Sequence, residues 1–167
     1  MKFRHAIIAV ALSTAFAAPV FAGTAADGMT VVDPYVRLVP PGQPATGAFF
    51  VLKNSDDKDH KVVKAESGAA KVTEMHNHIS EGGMMKMRPV KEIEVKAKGE
   101  AVLKPGSLHV MLIDLKQTLK EGDSVAIKLT FEDNSTKEIS APVRKIQVEM
   151  PMGKMAPMGK PGEMHHH

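Results

Sequence analysis

The chain has 167 residues with 22 basic and 19 acidic side chains, twelve methionines, eight histidines, one tyrosine and neither tryptophan nor cysteine. The lack of thiols excludes disulfides, thiol catalysis, cysteine-ligated zinc and the blue-copper centre built on two histidines and a cysteine. Scarce aromatic rings argue against stacking on nucleic acid, and because basic and acidic residues alternate, the pI near 9.1 marks no nucleic-acid surface either.

Residues 1–22 read as a secretory signal peptide. Lys2 and Arg4 precede an apolar run at 6–18, and Val20-x-Ala22 supplies the small residue of a cleavage point before Gly23. The run is too short to span a bilayer, so an exported protein cleaved after Ala22 is expected. Removing this segment leaves 20 basic against 19 acidic residues, a nearly neutral chain.

Residues 23–146 read as one β domain. Strand-like runs follow at 29–38, 45–53, 60–67, 71–79, 84–90, 92–97, 100–103, 108–115, 123–132 and 136–145, with Pro34 marking an edge or a bulge in the first. Turn formers separate them: Pro40–Pro44, Asn54–Asp59, Glu81–Gly83, Lys104–Gly106, Lys120–Asp123 and Glu132–Ser135. This spacing predicts an antiparallel Greek-key sandwich or small barrel. No convincing amphipathic helix interrupts it. Residues 147–167 differ in kind: Pro-Met-Gly-Lys recurs at 151–154 and 157–160, and Ala156 is the sole aliphatic residue from 149 on besides the methionines. Such a segment buries too little to offset its ordering entropy, and is expected to be a flexible tail without metal.

Within the strand at 108–115, His109 and Met111 stand two apart and share a face. His76 and His78 share a face of 71–79, and Met85 and Met87 share one of 84–90. His76 and Met87 are separated by ten residues, Met87 and His109 by twenty-one, and His109 and Met111 by one. Thioethers are soft neutral donors that favour Cu(I), imidazole suits copper in both oxidation states, and Met is not a usual zinc ligand. Neither donor is lost as a disulfide in an oxidising compartment.

These four residues match the H-x10-M-x21-H-x-M signature of the periplasmic PCuAC copper chaperones without a gap. The blocks DPYVRLVPPGQPATGAFFVLKN, EMHNHISEGGMMKMRPV, LKPGSLHVMLIDLK and LKEGDSVAIKLTFED resemble that family over most of the β domain. The resemblance implies an all-β, cupredoxin-like fold and Cu(I) held by His76, Met87, His109 and Met111 in the periplasm. It also implies copper passed to the copper-site subunit of a cytochrome oxidase, or shared with a Sco-like thioredoxin-fold protein. No paired carboxylates or Ser-His-Asp arrangement suggests an enzyme.

The neighbouring residues read as ordinary. Met75, Met84 and Met85 are expected to fill core or rim, Met85 coming nearest the ion. His78 is expected at the surface, with an outer-shell group or an alternative ligand as the other reading of a histidine on the His76 face. His60 is expected in a solvated loop, and Asp56, Asp57 and Asp59 in a turn. Glu74 and Arg88 flank the site. In the tail, Met164 with His165, His166 and His167 forms a candidate second copper site, the imidazoles suiting Cu(II). Two other readings stay open: a periplasmic copper buffer without a dedicated client, and a metal-free Ig-like interaction module.

Overall fold

The structure is a computed structural model and describes residues 23–146. The signal peptide expected at 1–22 and the copper-binding tail expected at 147–167, with Met164 and His165–His167, lie outside the described residues.

After a single helical turn, α1 (Ala25–Gly28), the described residues form ten strands. They are β1 (Met29–Arg37), β2 (Ala45–Asn54), β3 (His60–Ser67), β4 (Ala70–Glu81), β5 (Met84–Pro89), β6 (Ile93–Val95), β7 (Glu100–Leu103), β8 (His109–Leu115), β9 (Ser124–Phe131) and β10 (Thr136–Arg144). Each run expected from the sequence forms a strand. Their hydrogen-bonded order is β5-β4-β8-β2-β1-β10-β9-β3-β6, with β7 also on β2. The path turns between layers where β1 meets β10 in a short parallel pairing, Val36 beside Val143. It ends open, at β5 and β6, so the molecule is a sandwich and the closed-barrel alternative does not hold. Among the described residues no helix is long and apolar enough to cross a membrane.

Period-two alternation builds the core. Val125, Ile127, Leu129 and Phe131 of β9 are buried against Val36, Leu52, Val110 and Leu112 of the facing layer. The strand β8 thereby has Val110 and Leu112 on its core face and must turn His109 and Met111 to the other. The bulge expected at Pro34 is present: pairing of β1 with β2 slips by one residue between Val32 and Tyr35, with Asp33 at φ +46°. After the slip Val36 points into the core and Tyr35 lies over Phe49 on the outer face, ring centroids 5.3 Å apart.

Two turns shape that outer face. The strands β7 and β8 take successive stretches of the same edge of β2, Phe50–Lys53 and Ala45–Ala48. Between them Lys104–Ser107 leaves the sheet in a turn with Pro105 second and Gly106 third at φ +80°, closed by the Ser107 N–H on the Lys104 carbonyl at 3.1 Å. Only glycine takes that third position without strain. The β4–β5 hairpin closes through Gly82 and Gly83 at φ +61° and +79°, the positive pair a tight two-residue hairpin loop requires.

His60 departs from its expected place in a solvated loop. It opens β3 and is largely buried, with Nε2 at 2.9 Å from Asp56 and Nδ1 at 2.7 Å from Glu132. Glu132 comes from the turn after β9, which the β3–β9 pairing brings alongside. The Glu132 hydrogen bond, reinforced by Asp56 and opposed by burial, raises the His60 pKa above the usual imidazole value. A raised value means the folded state holds the proton more tightly. The stabilisation is complete below the unfolded value of ~6.5 and fades as pH rises through the higher folded one. His60→Ala is therefore expected to cost about 1–3 kcal/mol near pH 5.5 and clearly less near pH 9, read from urea unfolding at the two pH values. An equal cost at both would mean that the imidazolium contributes nothing beyond packing.

Candidate metal centre

The strand registers place the four sequence-predicted ligands on one outward face. His76 of β4 lies directly opposite His109 of β8, and Glu74 opposite Met111. Across the hairpin His78 lies opposite Met87 of β5, and on the other side Gly47 of β2 lies opposite Met111. Alternation therefore gathers Met87, His76, His78, His109 and Met111 on three neighbouring strands. A cleft of about 280 Å³ opens there, with Met87, His78, His109 and Met111 among its lining and Phe49, Pro105 and Gly106 on its walls.

His109 is only 3% exposed although its strand face is the outer one. The rings of Phe49, His76 and His78 surround it at 6.0, 5.8 and 5.3 Å between centroids. The 104–107 turn supplies its partner: His109 Nδ1–H donates to the Ser107 carbonyl at 2.8 Å. That bond fixes the tautomer and leaves the Nε2 lone pair free for a ligand. Burial lowers the His109 pKa below the usual imidazole value; the Ser107 bond opposes the shift, and His78 and His76 add to it. The ring stays neutral, as a metal ligand must.

His76, with 12% of its side chain exposed, is fixed the opposite way round. Its Nε2–H donates to Glu74 at 2.8 Å, which leaves Nδ1 as the acceptor. That Nδ1 is the one buried side-chain nitrogen or oxygen among the described residues without a hydrogen-bond partner. An unmet acceptor of this kind costs about 1–3 kcal/mol, and a metal ion accepting its lone pair would remove the cost. Met87 is 43% exposed and Met111 half-buried, so one thioether is open to solvent beside a buried imidazole. Among the described residues no three His, Asp or Glu side chains form a metal-binding group. The donor set is imidazole plus thioether, which suits Cu(I) and not zinc.

The family described as "Putative lipoprotein LpqE-like" matches residues 29–143. The chain belongs to the LpqE-like family. A protein of Leifsonia xyli subsp. xyli named as a putative lipoprotein is 32% identical over 123 residues, 73% of each chain. Among solved structures, apo-DR1885 from Deinococcus radiodurans is 33% identical with a TM-score of 0.58, covering 87% of this chain and 97% of that one. The same protein solved as CuI-DR1885 is 34% identical with a TM-score of 0.54, covering 71% and 76%. The copper-bound PCuAC domain from PmoF2 shares the fold at 19% identity, with a TM-score of 0.62 over 74% and 97%. The PCuAC-type, cupredoxin-like sandwich expected from the sequence is borne out.

In this LpqE-like chain several neighbours of the site differ from expectation. His78 is not a surface histidine: it is half-buried, lines the cleft and stacks on His109 with 29° between the rings. The alternation that exposes one face of a solvated strand here points into a cleft walled by the 104–107 turn. Met85 and Met84 fill neither core nor rim, because they lie near the tip of a hairpin that projects past β8, whose pairing with β4 ends at His76. Arg88 does not flank the site. It lies opposite Asn77 on the other face and pairs with Glu81 at 3.0 Å. Glu74 does flank it, and Met75 is buried in the core as expected.

Phe49 and Gly47 escaped the sequence reading. The Phe49 ring lies over Gly47, so that a Cβ there would come 2.8 Å from Phe49 Cζ. A glycine inside a strand pattern is the signal that marked this close approach. Gly47→Ala is expected to cost about 1–3 kcal/mol and to displace the Phe49 ring that packs beside His109, weakening metal binding. Unfolding in urea and a metal titration measure the two effects; a neutral substitution in both would show the ring to be free to move.

Proposed function

We propose that this protein is a periplasmic Cu(I) carrier, not an enzyme, in which His76, Met87, His109 and Met111 hold the ion for delivery to the copper centre of a cytochrome oxidase. The observation that carries the reading is the pair of imidazoles fixed in complementary tautomers, one with an unpartnered buried Nδ1, beside two thioethers. Neutral, soft donors bind Cu(I) without redox chemistry of their own, and the exposed Met87 offers a first ligand to exchange with a client. The Cu(I)-bound relative of 34% identity supports the choice of ion. Copper here is cargo, so a site near the surface fits the role better than a closed one. The tail, with Met164 and His165–His167, is a second arm that raises the local copper supply by tethering.

The test is a transfer experiment. The protein is expected to bind Cu(I) in preference to Zn(II) and to pass it to an apo copper-site domain of an oxidase. Binding without transfer leaves the copper-buffer reading. No Cu(I) binding leaves the metal-free module.

A further inference from the structure

The donors on the outer face of the β4–β5 hairpin and the adjoining β8 outnumber what one Cu(I) ion needs, and their exposure falls from the methionines near the hairpin tip to His109. Nearest the tip is Met85, 62% exposed, opposite Ser80. Next inward come Met87, 43% exposed, and its direct partner His78, half-buried. Then follow His76 and, at the inner end, His109 at 3%. Same-face positions along a strand are about 6–7 Å apart and cross-strand partners about 5 Å. A Met side chain has three rotatable bonds, so an ion released by one of these donors lies within reach of the next. Met84, 64% exposed, projects from the opposite face of the same hairpin, opposite Glu81.

Resting on the proposed Cu(I) site, we infer that Met85 and His78 are transient copper ligands, a path by which Cu(I) enters and leaves along the hairpin. Met85 captures the ion at the tip, and His78 with Met87 takes it up. His76, with its unpartnered Nδ1, then replaces His78 as the ion settles against His109 and Met111. Each step exchanges one neutral donor for another at constant oxidation state, with no proton or electron moved. The path explains why a second imidazole stands in the cleft without a strong hydrogen bond of its own: its Nδ1 lies 3.5 Å from the Ser107 carbonyl that His109 already engages at 2.8 Å. A loosely held imidazole turns readily toward an arriving ion.

The test follows Cu(I) exchange between the full-length protein and a coloured bidentate Cu(I) chelator by stopped flow, with the equilibrium affinity measured in parallel. Met85→Leu and His78→Gln, combined, are expected to slow loading and release together, each about fivefold or more, leaving affinity within about threefold, because a path changes both rates and not their ratio. Met84→Leu is the control and is expected to change neither. Unchanged rates in the double variant overturn the path, as does an equal slowing by Met84→Leu. A large loss of affinity with faster release also overturns it, since His78 would then be a resident ligand. If the unaltered protein binds no Cu(I), the carrier reading itself fails, an outcome separate from all of these.

Discussion

Replacing Met87 and Met111 together by Leu is expected to weaken Cu(I) binding by roughly a hundredfold or more, a loss of about 2.7 kcal/mol, while the sandwich stays folded. Both positions tolerate the change sterically. Leu and Met have similar volumes, and such exchanges usually cost less than about 1.5 kcal/mol. Met87 is partly open to solvent and Met111 half-buried on the face away from the core. What is lost is the soft donor. The remaining pair of imidazoles can still bind the ion, and it binds Zn(II) and Cu(II) about as readily, so selectivity for Cu(I) falls along with affinity. Competition with a chelator of known Cu(I) affinity gives the first number, and thermal unfolding of the metal-free protein shows whether the fold survived. Unchanged Cu(I) affinity with an intact fold would remove both thioethers from the site.

The sharing of a face by the donors within each strand was legible because a strand's side-chain period is two. Counting along each strand pairs His76 with His78 and Met85 with Met87, and puts His109 and Met111 on the side opposite Val110 and Leu112. That these faces meet on three neighbouring strands is a matter of register, His78 opposite Met87 and His76 opposite His109. The burial of His109 was not legible. It depends on where the 104–107 turn rests after leaving the edge of β2, a matter of two strands sharing one edge, and pattern within a single strand carries no trace of that. His78 was misplaced for the same reason: a half-buried histidine and a solvated one look alike until the wall facing them is known. His60 shows the long-range version. Its partner Glu132 is 72 positions away, joined to it only by the β3–β9 register. Arg88 was misplaced by parity alone, since its register partner is Asn77 and not a histidine.

Acid is expected to release copper, and the depressed pKa of His109 moves that residue's share of the loss to lower pH. A proton and Cu(I) compete for the same Nε2 lone pair, so binding weakens only where the metal-free site takes up protons. An ordinary imidazole does so near pH ~6.5. His109 is held below that by burial, so its share of the affinity is retained as pH falls through ~6.5 and is lost below its lowered folded value, by about tenfold per pH unit. The metal-free fold responds in the same direction for a related reason. Its unfolded chain binds the proton near pH ~6.5 while the buried ring refuses it, so stability falls between that value and the lower folded one. His60 acts with the opposite sign: its raised pKa adds stability that is already complete below ~6.5 and is lost only toward alkaline pH, so it does not offset the acid loss at His109. Chelator competition from pH 7.5 to 4.5, corrected for protonation of the chelator, reads the first effect. Thermal unfolding of the metal-free protein over the same range reads the second. A Cu(I) affinity that stays flat to pH 4.5 would show that no proton competes with copper for an imidazole nitrogen over that range and would overturn release by acid.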